Sequence, residues 1–205
     1  MSIEARQQRE REERVRVILE AAKGLFARQG FQETSMSDIA KACELGKATL
    51  YYYFPTKEEL YHEIVKACME HYFKDLNTAL EGVTHPADFV EQWVREFVAV
   101  AYRDPDFVRL LYPVGKSMPL QDVLPGHVPT RTMAAHGGLR VNLEQALARQ
   151  GLDVDPSTIF NLVMSYLFGL GHKIAQGISQ DNLEGEIRYF LLMVNKTMRM
   201  HKGAS

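Results

Sequence analysis

The sequence predicts an all-α protein of about nine helices, with a three-helix N-terminal unit over residues 1–57 and a larger helical unit over 58–205. Three observations predict it. Apolar residues recur at the i, i+3, i+4, i+7 spacing of one helix face nearly throughout, first at Val15, Ile18, Leu19, Ala22, Leu25 and Phe26. There is no hairpin signal and no run of alternating β-branched residues. The periodic stretches begin at capping residues and stop at glycine or proline.

The elements follow in order. Gly30 sits where a left-handed residue ends the first helix, with Phe31 free to fold back onto its last turn. The mixed Arg and Glu run before that helix, Arg6 to Arg16, reads as a solvated helix extension or frayed tail. Ser35 with Asp38 forms a weak capping box for a short helix carrying Ile39, Ala40 and Cys43. Glu44-Leu45-Gly46 is a turn, and a second short helix runs from Lys47 to Tyr53 until Pro55 stops it. Thr56 and Glu59 form a capping box for a long helix through Tyr61, Ile64, Val65, Cys68, Tyr72 and Leu76.

Pro86 opens a helix bearing Phe89, Val90, Trp93, Val94, Phe97 and Val98, and a short segment spans Phe107 to Tyr112. Pro113, Gly115, Pro119, Pro125 and Gly126 mark a long irregular connection of the kind that forms lids. Helical spacing returns at Met133, His136, Leu139, Leu143 and Leu147, with a possible break at Gly137-Gly138. Asp155-Pro156 and Asp181 with Glu184 are the expected starts of the last two helices.

Composition narrows the function. Of 205 residues, 46% are hydrophobic and 24% charged, which excludes disordered and fibrous classes. Two cysteines build no disulfide framework, so a reducing compartment is expected, and Cys43 and Cys68 read as structural. The longest stretch without an acidic or basic residue, 156–172, is too short and too polar to span a bilayer. Met1 to Arg16 has no apolar signal region, so the expected location is the cytoplasm, with no membrane partner. Residues 1–57 hold ten Lys and Arg against eight Asp and Glu, a net of +2, and 58–205 hold fourteen against eighteen, a net of −4. That asymmetry names no partner by itself. The seven histidines show no i, i+4 pair and no HExxH, and there is no GxSxG, P-loop or dinucleotide-binding glycine pattern. No enzyme, metal site or cofactor is therefore expected.

Two short helices joined by a three-residue turn form a helix-turn-helix, whose second helix lies in the DNA major groove. Rotating residues by about 100° each puts Leu50, Tyr53 and Phe54 on the inward face. Ala48 and Tyr52 point away from it, Thr49 and Tyr51 flank them, and Lys47 stands at the helix start. Exposed Thr, Tyr and Lys there suit phosphate oxygens, thymine methyls and base edges.

The run Phe31-Gln-Glu-Thr-Ser-Met-Ser-Asp-Ile-Ala-Lys-Ala, with Lys47-Ala-Thr-Leu-Tyr-Tyr-Tyr-Phe-Pro-Thr-Lys-Glu-Glu-Leu60, resembles the DNA-binding domain of TetR-family transcriptional regulators over about residues 10–60. The resemblance implies an all-helical homodimeric repressor that binds an inverted-repeat operator in double-stranded DNA. It implies that 58–205 is a ligand-binding and dimerisation domain whose small-molecule effector releases the DNA. It puts Ser35 and Ser37 near phosphate, and Lys47, Ala48, Thr49 and Tyr52 in the groove. Tyr51 and Tyr53 would reach backbone or thymine methyls, and Lys57 would bind phosphate. Two positions depart from the family pattern. Glu44 replaces the usual turn glycine, so the turn either avoids positive φ or tolerates strain. Gly46 replaces the usual Ser N-cap.

From Asp155 onward apolar residues go nearly all the way round: Ile159, Phe160, Val163, Met164, Leu167, Phe168, Leu170 and Ile174. A helix without a solvent face is buried on both sides, and a twofold copy is the simplest second partner. With Leu183, Ile187, Phe190, Leu191, Val194 and Met198, the stretches 156–176 and 182–200 resemble the family's dimer interface. The middle helices offer a candidate lining of His62, Trp93, Phe97, Phe107, Tyr112, Met133, His136 and Phe168, which suits a lipophilic or aromatic effector. Two alternatives remain open at this point: a regulator controlled by a protein partner, and, remotely, a small helical enzyme.

Overall fold

The computed structural model describes residues 3–112, 130–152 and 154–200, and of residues 130–137 and 199–200 the backbone alone. The described residues form helices and turns, without strands. The helices are α1 (Ile3–Gln29), α2 (Met36–Ala42), α3 (Lys47–Tyr53), α4 (Lys57–Ala79), α5 (Pro86–Arg103), α6 (Pro105–Leu111), α7 (Thr130–Arg149), α8 (Pro156–Ala175) and α9 (Gln180–Met200). The expected irregular connection from Pro113 to Gly126 lies outside the described residues.

Local chemistry accounts for most of the boundaries. Gly30 takes φ 84°, and its N–H donates to the Phe26 carbonyl at 2.9 Å, so the chain leaves α1 through a left-handed residue. The Ser35–Asp38 capping box is complete in both directions. At Thr56 only half of the expected box forms: the hydroxyl accepts from the Glu59 N–H at 3.1 Å. Asp155 caps α8 through the N–H groups of Ser157 and Thr158, ahead of Pro156 in the first turn. The Arg6–Arg16 run is helical and exposed, part of α1 and tied along its own surface by Arg6–Glu10 and Glu13–Arg16 pairs.

Two expectations differ. The backbone of α7 runs unbroken through Gly137-Gly138. Two glycines cost roughly 1 kcal/mol each in a helix, less than enough to stop a 20-residue one that packs on its neighbours. The last helix begins at Gln180, so Asp181 lies inside its first turn and acts on the helix dipole rather than as the cap.

One apolar core runs from the head into the larger unit. Ile18, Ala22 and Phe26 of α1 meet Ile39 of α2 and Leu50 of α3, and the core continues through Leu60 and Ile64 into α5, α6 and α8. Tyr61 sits at this junction. Its ring meets Phe26 and Phe31 edge-on at 5.2 and 5.1 Å, and its hydroxyl donates to the Leu110 carbonyl at 2.8 Å. Lys23 of α1 reaches Asp104, the N-cap of α6, at 2.5 Å. The head is therefore fastened to the larger unit by the packing of Phe26 and Phe31 on Tyr61 and by the Lys23–Asp104 ion pair.

Candidate functional site

Two places collect the residues singled out by sequence. The first is the outward face of α3. Leu50 is fully buried against α1 and α2, so the opposite face is displayed. Tyr52 is 73% exposed and Tyr51 48% exposed, and Lys47, Ala48 and Thr49 are exposed with them. Tyr53 is half-buried, its ring edge-on to Tyr52 at 5.3 Å. Phe54 is buried, as rotation about the helix axis required. Ser37 is half-buried beside this face.

Two expected phosphate ligands are otherwise engaged. The Ser35 hydroxyl accepts from the Asp38 N–H at 3.2 Å and donates to the Asp38 carboxylate, so it is committed to the cap of α2. That pairing and the capping bonds hold the Asp38 carboxyl below its ordinary pKa. The Lys57 ammonium donates to the carbonyls of Phe31 at 2.7 Å, Thr34 at 3.0 Å and Gln32 at 3.5 Å, and stands 4.3 Å from the centre of the Phe31 ring. It braces the loop between α1 and α2. Thr34, which sequence reasoning passed over, is buried in the same loop with its hydroxyl on the Gly30 carbonyl at 2.8 Å.

The turn between α2 and α3 settles the question raised by Glu44. Its φ is 55°, so strain is tolerated. Its N–H donates to Lys41 and that of Leu45 to Ala40, the paired bonds of a Schellman end. A left-handed non-glycine residue costs about 1–2 kcal/mol, while glycine loses more chain entropy on folding. Glu44→Gly is thus expected to stabilise the protein by about 0.5–1 kcal/mol, a rise of about 1–4 °C in Tm by scanning calorimetry. A lower Tm would contradict this origin of the turn.

The second place is a small cavity of about 40 Å³ between α4, α5, α6 and α8. Of the expected lining, Trp93, Phe97, Phe107 and Tyr112 are brought together there. Phe168 stands at its edge, half-exposed, with its ring 5.2 Å from that of Tyr112. His62 is half-buried on α4 and does not line the cavity; it lies about two turns or more short of Met69, Tyr72 and Phe73, which do. Met133 and His136 fall in the backbone of α7, and their side chains lie outside the described residues. Sequence reasoning had left Leu111 and Leu167 out of the lining; their periodicity marks them only as core. Two of the cavity's polar groups pair with each other: Trp93 Nε1 donates to the Tyr72 hydroxyl at 3.2 Å, and burial pushes that phenol far above its usual pKa. Burial likewise pushes the Cys68 thiol up to about 11 and raises that of Cys43, so both remain thiols at neutral pH.

The short α2–turn–α3 pair with its exposed α3 face forms a helix-turn-helix beside a helical second unit. Residues 18–64 match the family model of bacterial regulatory proteins, TetR family. HbdR of Aromatoleum sp. (strain CIB), an HTH-type transcriptional regulator, is 30% identical over 107 residues, 52% of this chain and 47% of HbdR. The chain spans about half the length of the curated relatives it matches. The TetR-family regulator PfmR of Thermus thermophilus superposes with a TM-score of 0.62 at 25% identity, over 87% of this chain and 93% of that one. AibR in complex with isovaleryl coenzyme A and operator DNA shares the fold at a TM-score of 0.62 and 24% identity, over 80% and 95%. Residues 18–64 are thus similar to the TetR-family DNA-binding domain, and the described residues share the fold of solved TetR-family regulators.

Proposed function

We propose that the protein is a homodimeric transcriptional regulator that binds an inverted-repeat operator and leaves it when a small apolar or aromatic molecule enters the cavity. Residues 1–57 are the reading head, and 58–205 bind the effector and the second copy. Its place of work is the cytoplasm, and it regulates rather than catalyses.

The observation that carries the reading is the face of α3. Seven residues of helix bury Leu50 and leave two tyrosines, a threonine and a lysine in solvent. Exposed aromatic rings add nothing to the fold of a helix that short, and they are suited to base edges and thymine methyls. Lys47, Ala48, Thr49, Tyr51 and Tyr52 are the groove contacts, with Tyr53 and Ser37 at the backbone; Ser35 and Lys57 support them from behind.

α4 joins the two places. It starts at Lys57 behind the head and carries Met69, Tyr72 and Phe73 to the cavity. An effector that prefers a shifted pose of α4 changes the separation of the two heads across a dimer. Lowering operator affinity 100-fold takes about 2.7 kcal/mol of differential binding, within the ordinary allosteric range. The small ring-lined cavity between the helices supports this control over a protein partner. AibR holds a short acyl thioester and operator DNA in the same fold.

Tyr52→Ala tests the face. Duplexes are first enriched from a random library by the wild-type protein. The variant is expected to bind the enriched duplex about 1–3 kcal/mol more weakly and to discriminate less at one or two base pairs, with Tm unchanged because the ring is in solvent. Unchanged affinity and discrimination would refute the assignment of α3.

A further inference from the structure

The ring of Tyr112 blocks the cavity that the proposed function assigns to the effector. The void left beside it, about 40 Å³, is far below the roughly 150 Å³ that admits benzene in an apolar protein cavity. The ring stands edge-on to Phe97 at 6.1 Å and to Phe168 at 5.2 Å, and it lies over Gly171 of α8. A Cβ built at Gly171 would come within 2.4 Å of that ring, with two further ring carbons at 2.6 and 2.7 Å. The buried glycine is thus the notch into which the ring fits. Tyr112 is also placed to leave. It follows the last residue of α6, outside the helical region at φ −124° and ψ 66°; the residue as a whole is half-buried, with its phenol deep enough that burial raises its pKa. Phe97, Phe168 and Gly171 face its ring and carry no charge, so the same space suits another flat, uncharged group.

We propose that Tyr112 is a built-in occupant of the effector site and that the effector is an uncharged compound presenting one ring-sized apolar group, which takes the place of the Tyr112 side chain on Gly171. The proposal rests on the cavity being the effector site. Binding then carries the cost of turning the tyrosine out, and the turned-out ring changes the packing of α6, which lies against α1 of the head and presents its Asp104 cap to Lys23.

The probe is p-cresol, the tyrosine side chain as a free molecule, followed by calorimetry on the full chain without DNA. Tyr112→Ala is expected to bind p-cresol at least 10-fold more tightly than the wild type, because the site is already vacant, while Tyr112→Phe binds it as the wild type does. In parallel, Gly171→Ala forces the ring out and is expected to lower affinity for the enriched duplex at least 10-fold. Tyr112→Ala in the same chain removes the clash and restores that affinity, and a cooperative thermal melt of Gly171→Ala alone, with unchanged helical circular dichroism, is expected because the ring turns out without unfolding the protein; loss of that melt would overturn the reading. Equal p-cresol affinity in the wild type and Tyr112→Ala, or no binding by either, would overturn the proposal, as would a Gly171→Ala protein with undiminished duplex affinity. Failure of the DNA reading shows separately, as a wild type that enriches no duplex, and leaves the calorimetric comparison at Tyr112 intact.

Discussion

Leu192→Glu is expected to yield a folded monomer whose affinity for the enriched duplex is at least about 100-fold lower. Leu192 is 59% exposed on the outside of α9, between Tyr189 at 67% and Met193 at 50%. Leu162 and Phe168 of α8 are exposed to a similar degree. Large apolar groups gathered on two adjacent helices need a covering surface, and a twofold copy supplies one that is self-complementary. A carboxylate placed in that interface has no partner and loses its hydration, which costs several kcal/mol. The monomer's own core is untouched, because the side chain it replaces lies in solvent. Separating two heads that bind one inverted repeat forfeits an avidity of about 10²–10⁴. Sedimentation equilibrium and a duplex titration check both halves. A variant that remains dimeric, or a monomer that keeps its affinity, contradicts the interface.

The choice of Leu192 is itself a result of the structure. The apolar pattern and the resemblance placed Leu183, Ile187, Phe190, Leu191, Val194 and Met198 in the dimer interface, yet all but the half-buried Phe190 are buried within their own chain. Val194→Glu would therefore unfold the protomer and say nothing about assembly. Phe168→Glu is mixed in its effects, because that ring also touches Tyr112.

Lys57→Ala is expected to destabilise the head by about 2–3 kcal/mol. Three carbonyls accept from this ammonium, and the side chain also lies over the Phe31 ring. Charged hydrogen bonds of this kind contribute about 1.5–3 kcal/mol, and the partly buried carbonyls left behind lose a donor. Tm should fall by about 4–12 °C, with hydrogen exchange accelerated first in residues 31–36. If the lysine served phosphate alone, Tm would hold and only the salt slope of DNA binding would drop by about one unit. The two outcomes are distinct in a calorimeter and a salt titration.

Much of the fold was legible because its signals are local. Gly30, the Ser35–Asp38 box and Asp155-Pro156 act within a few residues of themselves, and each appears in place. The reading face was legible for the same reason: α3 is so short that burial of Leu50 fixes where Tyr52 points. What sequence could not supply was the choice among equivalent apolar faces. The helices α8 and α9 are apolar on two sides, and only packing against α5 decides which side is the protomer's own core. Lys57 shows a related limit, since its partners lie 23 to 26 residues earlier in a loop whose path no periodicity describes. Gly171 was read only as a small residue for close helix approach, because the ring that lies over it stands at the end of α6, far away in the chain.

The most direct test of DNA reading by α3 is the sequence that the wild-type protein enriches from random duplexes at physiological salt. Two copies of α3 related by a twofold axis must read the same bases on opposite strands, with half-sites centred about one helical turn, roughly 34–36 Å, or a multiple of it apart. The expected result is an enriched inverted repeat of that spacing, lost from the selection when Tyr52→Ala replaces the wild type. Enrichment of a single asymmetric site, or of no sequence above the salt-dependent background, would contradict it.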